Sequence, residues 1–123
     1  MKKNSIEKTD HTELKSSEPH ILVQIVKYLP QSVVTKTILK KITGNISAMS
    51  VATGETVAEK ISPFSNFIQI IDGAAEIIID KKTHQLKLGD GIIIPAHASH
   101  SIKANQQFKM ISTIIKSGYE DQL

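Results

Sequence analysis

The sequence has no cysteine and no tryptophan, and its 15 basic side chains are all lysine. The absence of cysteine removes disulfides, thiolate metal sites and cysteine nucleophiles together. Three Phe and two Tyr are too few for an aromatic cage or for a platform on which bases stack. Without arginine there is no bidentate fork to read phosphate or guanine. The lysines are scattered, with doublets only at Lys2–Lys3, Lys40–Lys41 and Lys81–Lys82, and against 12 acids they leave a net charge of +3. No specific nucleic-acid recognition is expected. No apolar run approaches the roughly 20 residues of a membrane helix. The charged start, MKKNSIEKTD, leads into no apolar signal-like stretch. The expectation is a cytoplasmic protein without a membrane partner.

What is present suits one core. A chain of 123 residues with 40% apolar side chains holds one packed domain, and two independent cores are excluded by size. Residues 1–16 carry only Ile6 and Leu14 as sizeable apolar groups, too little to offset the entropy of ordering them. They are expected to form a flexible arm ahead of a single domain over 17–123. Ser17 has the chemistry of a helix N-cap, Glu18 and Pro19 suit a first turn, and Ile21, Leu22, Ile25 and Val26 share a helical face before Pro30. One short helix is the expectation there, although the β-branched run ILVQIV also allows a strand.

From Val33 onward β-branched runs alternate with turn residues every eight to twelve positions. Strands are expected near Val33–Ile42, Asn45–Ala52, Phe67–Ile71, Ala75–Asp80, His84–Leu88, Ile92–Ile94, His100–Ala104 and Lys109–Ile115, with a connecting strand over Thr56–Ile61. Turns fall at Thr43–Gly44, Asp72–Gly73, Asp80–Lys82, Gly89–Gly91 and Asn105–Gln107. Asp72–Gly73 between two apolar runs is a hairpin signal, because a type I′ turn needs positive φ at both central residues. Many short strands at this spacing indicate an all-β sandwich or small barrel. No nucleophile elbow, phosphate loop or metalloprotease spacing occurs.

The segment Gly89-Asp90-Gly91-Ile92-Ile93-Ile94-Pro95-Ala96-His97-Ala98-Ser99-His100 resembles the second motif of the cupin superfamily. Gly89, Pro95 and His100 match in spacing, and His97 stands where that motif has its second glycine. Gly54 to Gly73 resembles the first cupin motif, which opens and closes with glycine. The resemblance covers about Val33 to Lys116 and implies a small single-domain cupin, a double-stranded β-helix or jelly-roll barrel. In the first motif the two histidine positions fall on Lys60 and Ser62 and the glutamate position on Asn66. Only His100 keeps the ligand type that a cupin metal site uses. A first-row divalent ion needs several converging N or O donors, so no metal and no other cofactor is expected.

Alternation along a strand puts Lys60 and Ser62 on one face, and Asn66, Ile68 and Ile70 likewise. With His100 these residues make a candidate pocket, a few polar groups over an aliphatic floor. Lys60 equally suits a solvated side chain with its stem on the barrel wall. His100 reads as a ligand contact or as a hydrogen-bonded core histidine. His97 is expected in an exposed turn without a role, and His84 on the surface. His11 and His20 fall in or near the arm. Three functions stay open: a metal-free barrel binding a small polar or anionic metabolite, a cupin enzyme of isomerase, epimerase or dioxygenase type, and a structural or sensory domain acting through a protein partner. A homodimer is expected, because Phe67 and Ile71 project away from the pocket and edge strands favour a neighbour.

Overall fold

The computed structural model describes residues 6–119, apart from the side chains of residues 58–60. The β-branched runs form nine strands among the described residues. They are β1 (Ile6–Asp10), β2 (Ser32–Lys41), β3 (Gly44–Val51), β4 (Thr56–Ile61), β5 (Ser65–Ile79), β6 (Lys82–Lys87), β7 (Gly91–Ile94), β8 (Ser99–Lys103) and β9 (Phe108–Ile115). One sheet runs β1-β2-β3-β9-β5-β7 and the other β4-β8-β5-β6. The long strand β5 belongs to both and curls the ladder onto itself. The all-β barrel expected from the strand spacing is the fold.

The main core lies between the two sheets. Phe108, Ile68, Ile77, Ile94, Ile102 and Val51 are its most completely buried large side chains. Burying each contributes roughly 1.5–3 kcal/mol, which is what holds the two walls together.

How β5 reaches both sheets corrects the hairpin expected at Asp72–Gly73. Only Gly73 has positive φ, +70°, and Asp72 does not, so the type I′ requirement fails. The pair instead sits at a β-bulge, where the register to β9 slips between Ile70 and Asp72. One extra residue reverses the parity of the strand. Before the bulge the even positions Ile68 and Ile70 are buried, and after it the odd positions Ala75 and Ile77 are. The strand therefore keeps an apolar face inward in both sheets. Close approach also demands glycine here, since a Cβ on Gly73 would lie 2.1 Å from the Gln107 carbonyl oxygen. The type I′ signature occurs at Asp80–Lys81 instead, with φ of 46° and 71°, closing the β5–β6 hairpin without glycine.

The N-terminal third departs further from expectation. Ile6–Asp10, expected inside the flexible arm, pair in parallel with Ser32–Lys36 of β2. All five side chains are exposed, so apolar burial does not hold this strand. Backbone hydrogen bonds to an otherwise open edge do. The Asp10 carboxylate lies 3.1 Å from the Lys36 ammonium, and the Leu14 N–H donates to the Ile38 carbonyl at 3.1 Å. Residues 1–5 of the arm lie outside the described residues.

The expected helix reduces to one 3-10 turn, Leu22–Gln24. Ile21 and Leu22 remain 62% and 45% exposed, so the would-be apolar face has nothing to pack against. The chain runs on in open form, and Val26 packs with Ala48 and Ile111 against the outer face of the first sheet. The Tyr28 hydroxyl donates to the Asp72 carboxylate at 2.6 Å, and the Ser50 hydroxyl donates to the Lys27 carbonyl at 2.7 Å. The Lys109 ammonium sits 4.9 Å from the Tyr28 ring centroid. Burial and the neighbouring Asp72 carboxylate push the Tyr28 phenol above its usual range.

Candidate functional site

Between the two sheets lies a cavity of about 560 Å³. The inward positions of β5 bring Asn66 and Ile68 to it, β8 brings His100 and Ile102, and the β4–β5 connection brings Ser62 and Phe64. The tight turn before β8 shapes the rim. His97 there has φ +71° and its backbone N–H donates to the Ser62 carbonyl at 2.6 Å. A left-handed residue at this point explains why the cupin motif carries glycine at the position of His97. The His97 side chain is exposed.

Of the residues proposed for the pocket, Ser62, Asn66, Ile68 and His100 line this cavity. Ile70 does not: it is 2% exposed and packed into the core beside it. Lys60 stands directly opposite His100 in the β4–β8 register, and its side chain lies outside the described residues. His100 is 8% exposed. The Ser62 hydroxyl accepts from the Phe64 N–H at 3.1 Å, which fixes the turn into β5.

Three further polar groups escaped the sequence reading: Thr35, Ser47 and Ser112 also face the cavity. They sit on β2, β3 and β9, outside both motif segments. Ser47 and Ser112 are direct cross-strand partners, and the Ser112 hydroxyl donates to Asn66 Oδ1 at 2.8 Å. The alternation of ISAMS and ISTII was the available signal, because it puts one small hydroxyl on the inner face of each strand. The remaining lining is apolar, from Met49, Val57, Ile61, Phe64, Ile94, Pro95, Ala98, Met110 and Ile114.

The donor set does not fit a divalent metal. His100 is the single imidazole of the lining, beside neutral hydroxyls and one amide. Among the described residues no three His, Cys, Asp or Glu side chains come together. Tetrahedral or octahedral coordination needs three or more protein donors, usually anionic or imidazole. The chemistry this arrangement offers is hydrogen bonding to an organic molecule over a large apolar surface.

A two-sheet β-barrel with an internal pocket on this pattern defines a cupin-type barrel. A family model for the cupin domain matches residues 47–114, and the chain belongs to that family. It is 28% identical over 74 residues to Protein SchB of Streptomyces halstedii, an alignment covering 59% of this chain. The chain spans about half, 54%, of that relative's length. Among solved structures it resembles a conserved protein of unknown function from Streptococcus pyogenes, with a TM-score of 0.82, 24% identity and coverage of 88% of this chain and 95% of the other. A cupin superfamily protein from Desulfitobacterium hafniense DCB-2 superposes with a TM-score of 0.80 at 25% identity, over 88% of this chain and 99% of the other. A salicylate 1,2-dioxygenase from Pseudaminobacter salicylatoxidans has a TM-score of 0.64 at 18% identity, over 68% of this chain and 26% of the other. At that identity the likeness is one of fold. No helix among the described residues is long and apolar enough to cross a membrane.

Proposed function

We propose that this chain is a metal-free cytoplasmic cupin barrel that binds a small organic metabolite, polar or anionic at one end, in the cavity between its sheets. The observation that carries the reading is the pairing of a 560 Å³ cavity with a lining of six neutral or imidazole polar groups and no metal-competent set among the described residues. The volume lies within the roughly 300–1,000 Å³ usual for small-molecule sites. Asn66, Ser62 and His100 supply the polar end, and Ile68 and Ile102 the apolar surface. The polar contacts orient the ligand and the apolar contacts supply most of the affinity.

Elemental analysis and native mass spectrometry of protein purified without a histidine tag test this. The expected result is no stoichiometric transition metal and a small organic molecule released on denaturation. One equivalent of zinc, iron, manganese or nickel per chain overturns the reading and restores the dioxygenase-type alternative.

A homodimer is part of the proposal. Phe67 and Ile93 are cross-strand partners on the outer face of β5 and β7, and they are 41% and 63% exposed. Beside them Leu88 is 64% exposed. A second copy covering this face removes the apolar group from water and protects the free edge of β7.

A further inference from the structure

Four of the six polar groups of the cavity lie along one wall. Thr35, Ser47, Ser112 and Asn66 lie on four successive strands of one sheet, β2, β3, β9 and β5. Ser47 is directly opposite Ser112. Asn66 is diagonal to Ser112, whose own partner on β5 is Ile68. Thr35 is diagonal to Ser47, whose partner on β2 is Thr37. The four groups thus form a stripe across one wall. The facing wall is built by the other sheet, where Val57 and Ile102 are cross-strand partners and line the cavity together with His100, two positions before Ile102 on β8.

The stripe has a definite hydrogen-bonding character. The Ser112 hydroxyl gives its proton to Asn66 Oδ1, so its lone pairs face outward as acceptors and the Asn66 amide keeps its N–H groups as donors. Among the described residues none accepts from that amide. Ser47 and Thr35 each add a hydroxyl able to donate or accept. No described side chain of the lining carries a fixed charge. A carboxylate placed on the stripe would exchange its hydration for the hydroxyl and amide donors of Thr35, Ser47 and Asn66 alone, which disfavours it there against a neutral group of the same shape.

We propose, building on the small-molecule reading above, that the cavity selects a neutral, largely apolar ligand carrying hydroxyl or carbonyl groups along one edge. That edge lies on the Thr35–Ser47–Ser112–Asn66 stripe, and the apolar face of the ligand packs on Val57 and Ile102. The volume of 560 Å³ equals the liquid share of roughly 19 waters at about 30 Å³ each. A ligand the size of two fused six-membered rings fits within it.

The test compares three probes of one shape, 2-naphthol, naphthalene and 2-naphthoate, titrated by fluorescence at pH 7 against the full chain. The expected order has 2-naphthol tightest, with its hydroxyl worth about three- to tenfold over naphthalene, the usual range for one neutral hydrogen bond. The double variant Ser112→Ala/Asn66→Leu removes both partners of the hydrogen bond and leaves neither unpaired. It is expected to abolish the preference for 2-naphthol while naphthalene binds within about twofold of wild type. Ser47→Ala alone is expected to reduce the preference, which keeps the test open should the double variant misfold. A preference that survives all these changes overturns the stripe. If 2-naphthoate binds tightest and Lys60→Ala removes its advantage, the neutral ligand class is overturned while the binding reading stands. Failure of all three probes to bind overturns both.

Discussion

Replacing Gly73 with alanine tests whether the bulge in β5 is what joins the two sheets. Two penalties combine. The left-handed φ of +70° costs a residue with a Cβ about 1–2 kcal/mol. The added Cβ would lie 2.1 Å from Gln107 O and 2.9 Å from Phe108 Cα, both backbone atoms, so no flexible side chain can give way. Forcing the β8–β9 loop aside resembles overpacking a core and costs roughly 1–3 kcal/mol more. At about 2.1 cal/mol/K of unfolding entropy per residue, 123 residues give a slope of about 0.26 kcal/mol/K. The sum of about 2–5 kcal/mol then lowers Tm by roughly 8–19 °C. Gly89→Ala is the control, because φ is +92° there and nothing lies within 4 Å of the added atom. Strain alone predicts a fall of roughly 4–8 °C at that site. Thermal melts by circular dichroism decide the matter. Equal falls in the two variants, or a Gly73→Ala melt within about 3 °C of wild type, would refute the close-approach reasoning.

Further expectations follow from the same geometry. His97→Gly removes left-handed strain at an exposed turn, and after the added freedom of the unfolded chain it should stabilise by about 0.5–1 kcal/mol, read as a higher urea midpoint. Tyr28→Phe deletes the 2.6 Å hydrogen bond to Asp72 and should cost about 1–2 kcal/mol at neutral pH. Burial, then Asp72, raise the folded phenol above its ordinary value. The Tyr28 contribution is therefore fully present below about pH 10 and is lost as pH climbs through the raised folded value. The gap between wild type and Tyr28→Phe should stay constant from pH 6 to 9, and a gap that shrinks across that interval contradicts the assignment. Light scattering should give about 27 kDa, twice the 13.5 kDa chain, and Ile93→Lys should return the mass to that of one chain. A monomer throughout removes the proposed dimer face.

The all-β class and most strands were legible because strand periodicity is local. Each apolar run from Val33 to Ile115 carries its own alternation, and a buried face fixes register once the strand exists. The motif spacing from Gly89 to His100 likewise located one rim of the cavity, since short-range turn geometry decides where Pro95, His97 and His100 stand. The cavity residues on β5 were found for the same reason: Asn66 and Ile68 share a face whatever the rest of the chain does.

Other features depended on partners distant in sequence. Ile6–Asp10 have no burial pattern that marks a strand, and only the open edge of β2 makes them one. The run from Ile21 to Val26 has helical spacing, yet the outer face of the first sheet offers packing for Val26 and none for Ile21. At Asp72–Gly73 the dipeptide by itself allows a hairpin or a bulge. The choice follows from the contact of Gly73 with the Gln107 backbone, 34 residues away in sequence. The cavity wall is the clearest case. Thr35, Ser47 and Ser112 are unremarkable in their own strands and gain a joint role only when β2, β3 and β9 align beside Asn66. Local sequence set which face each side chain takes, while strand pairing across the barrel decided which of those faces meet.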